Sequence, residues 1–271
     1  MRLLQWFILI LVSAGLHGQP NCQYYLSLGD SCQYKACKIA TAPIGYQGSK
    51  ISQIKLDEAI KVCPSFGYAY KVKSIPFLKR GYWIEWKRLI DLAVKYDEVG
   101  QLGYRGWCRY QFLRDYKGAL RDFERLGELQ SDLGYSANGT YHLEVAKAIC
   151  QDALGDTGQG LITINTLLAK PNYYVGPFDY LHQGMLLIKL EKYQEAIIAL
   201  SLQLEQDINA DTHYYLALAY HKVGNNSSAK IELEKAYVQY DLSNYRSDPY
   251  GETEGRIYKE DIEGLRLLIA K

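Results

Sequence analysis

His213-Tyr214-Tyr215-Leu216-Ala217-Leu218-Ala219-Tyr220-His221-Lys222-Val223-Gly224, followed by the run from Ser228 to Tyr240, is the stretch on which the fold turns. Its first half has helical periodicity and stops at Gly224. Its second half places Ala229, Leu233 and Ala236 at spacings of four and three, one stripe of a second helix. Small residues on both helices (Ala217 and Ala229) allow the pair to approach closely, so the segment reads as a helical hairpin. A lone hairpin cannot bury its apolar face, so more copies are expected beside it.

With position 1 at Ala210, the hairpin resembles the tetratricopeptide repeat (TPR). The TPR pattern wants a small residue at position 8, an aromatic at 11, Gly near 15, then Ala, a large apolar residue and Ala at 20, 24 and 27. Ala217, Tyr220, Gly224, Ala229, Leu233 and Ala236 fill these places. The template slides upstream. Units starting at Pro177, Tyr141, Gly100, Gly67 and Gln33 carry Gly184 and Ala196, Ala148 and Gly160, Tyr110 and Ala119, Gly81 and Trp86, and Ala40 and Ala59. The starts 33, 67, 100, 141, 177 and 210 are spaced 34, 33, 41, 36 and 33 residues apart, against a TPR period of about 34. The long interval marks an inserted loop, Ser131–Gly139, rich in turn formers. The resemblance covers 33–243 and implies an all-α, right-handed superhelix of about six hairpins. Residues 19–32 are a lead segment, and 244–271 a C-terminal cap whose helix carries Ile262, Leu265, Leu268 and Ile269. A narrower likeness, to an uncharacterised exported TPR group of Bacteroidota, rests on three strings: Leu102-Gly103-Tyr104-Arg105-Gly106-Trp107-Cys108-Arg109-Tyr110, Arg114-Asp115-Tyr116 and Asp248-Pro249-Tyr250. It carries no activity to transfer.

The chain's net charge of +1 speaks against nucleic-acid or anionic-membrane binding, which depend on phosphate neutralisation. Tyrosine is abundant, with 25 copies, and suits both packed helices and binding surfaces. At the N-terminus Arg2 precedes the apolar run Leu3–Val12, then Ser13, Ala14, Gly15 and Gly18. That is a signal peptide over 1–18, too short to span a bilayer, with cleavage near Gly18 or Ala14. An exported protein, periplasmic or secreted, is expected, with lipid anchoring at Cys22 as a minor alternative. The six cysteines 22, 32, 37, 63, 108 and 150 suit an oxidising compartment. Expected antiparallel packing of the first hairpin suggests a disulfide between Cys37 and Cys63, with Cys22–Cys32 as a weaker pairing and Cys108 and Cys150 free.

The residues offer no catalytic constellation. His17, His142, His182, His213 and His221 are scattered, without HExxH or zinc spacing. Gly155-Asp156-Thr157-Gly158-Gln159-Gly160 lacks the Lys-Ser/Thr of a phosphate loop, and GxSxG is missing. The chain therefore reads as a non-catalytic protein with no cofactor or metal. The TPR resemblance implies a concave face lined by first helices. Carried over, that face holds Tyr68, Lys71, Tyr104, Arg105, His142, Phe178, His182, Tyr214, Tyr215, His221 and Lys222, with carboxylates at Asp152 and Asp211. Such an aromatic and basic surface is expected to hold a protein or peptide segment with some negative charge. The alternative is a glycan-binding or glycan-assembly accessory role.

Overall fold

A computed structural model describes residues 19–42, 45–136, 139 and 141–270; the signal-peptide reading of 1–18 lies outside the described residues. The fold is an all-α superhelix, and no strand forms among the described residues. A short α1 (Cys22–Ser27) leads into six hairpins: α2 (Ser31–Ala40) with α3 (Lys50–Val62), α4 (Gly67–Lys79) with α5 (Trp83–Tyr96), α6 (Glu98–Leu113) with α7 (Tyr116–Leu129), α8 (Leu143–Ala153) with α9 (Thr157–Leu168), α10 (Asp179–Lys189) with α11 (Tyr193–Gln206), and α12 (Ala210–Lys222) with α13 (Asn226–Asp241). The closing helix α14 (Lys259–Ile269) packs on α13 and lays Ile262, Leu265 and Ile269 against Leu233 and Ala236.

The sequence dictates the hairpin turns. The chain takes a left-handed conformation at Gly81, Arg114, Gly155, Glu191 and Gly224, the fifteenth residue of five successive repeats. Glycine enters that region without cost; Arg114 and Glu191 adopt it at a cost of roughly 1–2 kcal/mol each. An Asp or Asn then caps several of the second helices: Asp115, Asp156 and Asn225 each accept a backbone N–H three residues on. Within hairpins, Ala119, Ala196 and Ala229 are wholly buried at the helix crossing. Gly184 is held closer still, since a Cβ there would sit 2.5 Å from Leu200 Cγ. The larger buried side chains, among them Trp86, Tyr110, Phe123, Ile164 and Leu181, make a core that runs between hairpins along the stack.

Two disulfides fix the N-terminal end: Cys22–Cys37 joins α1 to α2, and Cys32–Cys63 joins the start of α2 to the C-cap of α3. The expected Cys37–Cys63 and Cys22–Cys32 pairings are not the ones formed. Antiparallel packing does bring the start of α2 to the end of α3, but the residue at that start is Cys32. Cys37 lies about 7.5 Å farther along the helix axis and meets α1, which folds back across it with a Cα–Cα distance of 5.5 Å. Because the Cys22 sulfur is consumed in this bond, it is not free to carry a lipid, which corrects the anchoring alternative. Cys108 and Cys150 are free and buried, as the sequence suggests.

Candidate functional site

The first helices α4, α6, α8, α10 and α12 lie side by side and form the concave face. The C-terminal half of that face is already filled. Residues 244–258, between α13 and α14, run back along it as a strap. Its anchor is Arg246, only 5% exposed. The Arg246 backbone N–H donates to Asp211 Oδ2 at 2.9 Å and its Nε to Asp211 Oδ1 at 3.2 Å. Its Nη2 donates to the carbonyls of Glu254 and Gly255, and its guanidinium lies over the Phe178 ring at 5.8 Å. A buried arginine is tolerable only when its charge is paired and its donors are used, and Asp211 and the strap's own carbonyls supply both. Tyr215 Oη adds a bond to the Gly255 carbonyl at 2.9 Å.

The tip of the strap reaches the N-terminal half. Arg114 and Tyr116 clamp Glu254, and Arg114 also donates to the Glu252 carbonyl. Lys79 Nζ stands 5.4 Å above the Tyr250 ring. Between this tip and the floor of α4 and α6 lies a cavity of about 450 Å³, lined by Gln47, Ile75, Leu78, Lys79, Tyr104, Trp107, Phe112 and Asp248-Pro249-Tyr250. That volume and apolar, aromatic lining are those of ligand-binding clefts. The three strings behind the narrower resemblance meet here: Tyr104 and Trp107 in the cavity wall, Arg114 and Tyr116 in the clamp, and Asp248-Pro249-Tyr250 in the roof.

The residues expected on one open surface divide into groups. Lys71 and Tyr104 come together, with the ammonium 5.0 Å from the ring centroid. Burial pushes the Lys71 ammonium below its usual pKa. Tyr68, in the first turn of α4, is half-buried beside Phe66, the residue that precedes the helix. Phe178, His182 and Tyr215 gather under the strap around Arg246. His182 Nε2 is 3.4 Å from Tyr141 Oη and 3.5 Å from Arg246 Nη1, and burial, then the arginine charge, holds it neutral, well below the usual histidine pKa.

The others depart from the expectation. Arg105 is a fork to Asp122 at 2.7 and 3.0 Å and reaches Asp91 at 3.0 Å, so it ties α6 to α7 and α5 rather than offering a charge to the groove. His142 is the buried N-cap of α8: Nδ1 accepts from the Glu144 N–H and Nε2 pairs with Asp132 of the inserted loop at 2.9 Å. Tyr214 packs in the cluster that α14 closes. His221 bonds Asn226 at the hairpin turn, and Lys222 is exposed at the end of α12. Asp152 pairs with Lys189 at 2.5 Å, and Asp211 is committed to Arg246. Among the described residues no group of three metal-ligating side chains converges.

No protein-family model matches the chain, and no curated protein matches it either. Solved structures do. PilW, a widely conserved type IV pilus biogenesis factor, is 13% identical with a TM-score of 0.58, over 90% of this chain and 94% of that one. PilF of Pseudomonas aeruginosa is 14% identical with a TM-score of 0.55, over 82% and 94%. A tetratricopeptide repeat protein from Parabacteroides merdae is 15% identical with a TM-score of 0.50, over 92% and 96%. These neighbours are TPR proteins, and the chain has their helical-repeat fold.

Proposed function

We propose that the chain is a non-catalytic protein- or peptide-binding module of the cell envelope, and that its binding surface is the N-terminal half of the concave face. One observation carries this reading. The strap fills the face around α10 and α12, whereas the cavity over α4 and α6 stays open beside Lys71 and Tyr104. Burial of aromatic side chains in such a cleft is what gives interfaces their energy. The envelope placement draws on the leader-like N-terminus and on two disulfides, which persist in oxidising compartments. The pilus-biogenesis role named for PilW is compatible with it, and the likeness extends no further than the shared fold.

The glycan reading has the aromatic walls in its favour. Sugars need an exposed ring face; Trp107 is 3% exposed, which leaves Tyr250 of the strap, at 55%, as the open ring of the cavity. The experiment is recovery of partners from an envelope fraction by wild type and by Tyr104→Ser, each checked by circular dichroism. We expect the folded variant to lose the partners. A folded Tyr104→Ser that recovers all of them, while Ile231→Glu on the exposed side of α13 does not, would move the binding surface to the outer face.

A further inference from the structure

The chemistry of the cavity narrows the class of partner, provided that this half of the groove is the binding face proposed above. Lys71, Ile75, Leu78 and Lys79 share one face of α4, spaced at i, i+4, i+7 and i+8. Ile75 and Leu78 form the apolar floor of the cavity, Lys79 lines it, and Lys71 stands behind its Tyr104 wall. Each ammonium sits over a tyrosine ring, Lys71 over Tyr104 and Lys79 over Tyr250. Neither makes an ion pair among the described residues; Lys79 has only the neutral Gln47 amide, at 3.3 Å. Lys79 is exposed, but Lys71 is half-buried and the field of Asp97 only partly offsets that burial, so an arriving carboxylate relieves a standing cost there.

The chain also supplies its own sample of what fits. The strap tip that roofs the cavity is Asp248-Pro249-Tyr250, an acid two residues before an aromatic ring. Its tyrosine lies under Lys79, and its carboxylate lines the same space, accepting the Tyr250 backbone N–H at 2.7 Å rather than pairing with either lysine. The tip leaves Lys71 unmatched and about 450 Å³ of the cleft unfilled.

We infer that this cavity is a recognition site for an acidic, aromatic peptide segment of a partner protein, of the form acid–any residue–aromatic. The partner's ring enters between Ile75, Leu78, Tyr104 and Phe112, and its carboxylate pairs with Lys71. Strap residues 248–250 carry the same chemistry within the chain and form the wall against which the segment lies.

The test is calorimetric titration of the purified chain with an acetylated, amidated tetrapeptide, Asp-Pro-Tyr-Gly. Saturable one-to-one binding is expected. Replacing the probe's Asp by Asn, or making Lys71→Gln in the protein, should weaken it about tenfold, the worth of one charge-assisted hydrogen bond. Replacing the probe's Tyr by Ala, or filling the cavity with Ile75→Phe, should abolish it; circular dichroism and the melting midpoint verify that each variant is folded. Lack of binding by the Asp-Pro-Tyr-Gly probe overturns the inference, as does equal affinity in folded Lys71→Gln. So does binding of a maltohexaose probe in place of the peptide. If partner recovery from the envelope fraction still depends on Tyr104 while the tetrapeptide does not bind, the ligand class falls and the binding face stands. If both fail, both readings fall.

Discussion

Arg246 ties the strap to the last two hairpins through Asp211 and Phe178. It sits beyond the last hairpin, fully enclosed, with Asp211 as its counter-ion. Removing one member of such a pair strands the other charge in a dry site, at roughly 3–5 kcal/mol. Arg246→Met is therefore expected to lower the unfolding free energy by about that much in denaturant melts, and Arg246→Met with Asp211→Leu to recover a large part of it. His182 beside it gives a pH signature. Its pKa in the folded chain lies below the unfolded value of about 6.5, so below that pH the unfolded chain binds more protons. Its contribution to stability is complete above about pH 6.5 and is lost as the pH falls toward the folded value. Stability should drop between pH 7 and pH 5, and the drop should be shallower in His182→Gln. Equal slopes in the two proteins would mean that His182 is not held neutral.

At the scale of elements, the N-terminal hairpin is stapled and the rest are not. A disulfide closing a loop of about 15 residues contributes roughly 3 kcal/mol, and Cys22–Cys37 spans that separation. Non-reducing peptide mapping should recover the 22–37 and 32–63 links and two free thiols. Burial pushes the Cys108 thiol up to about 12 and raises that of Cys150 as well, so iodoacetamide at pH 8 should label neither until denaturant is added. A 37–63 peptide, or rapid labelling of the native protein, would contradict this packing. The hairpins are legible in the sequence because their determinants are local and periodic: small residues such as Ala119, Ala196 and Ala229 at one repeat position, and a turn former such as Gly155 or Gly224 at another. The disulfide pairing is not. It depends on α1 being a helix that folds back on α2, and six residues before the first repeat carry no period to reveal it. His142 and Arg105 escape the repeat pattern for a related reason. A repeat template gives the angle of a position around a helix, but His142 stands just before its helix begins and caps it. The Arg105 side chain follows the carboxylates of Asp91 and Asp122 rather than the template.

For the whole molecule, the strap turns an open superhelical groove into a half-closed one. Nothing periodic announces residues 244–258, so a template ending near 243 leaves the groove empty. Only the isolated strings Arg114-Asp115-Tyr116 and Asp248-Pro249-Tyr250 mark the segments that meet. A half-closed groove requires the strap to lie in it with its tip against α4 and α6, and replacing Tyr250 by p-benzoylphenylalanine tests that contact directly. After irradiation of dilute protein and proteolysis, tandem mass spectrometry should find an intramolecular cross-link from position 250 to residues of α4 or α6, near Leu78, Lys79 or Phe112. Cross-links confined to α13 and α14, or none within the molecule, would show that the strap does not occupy the concave face.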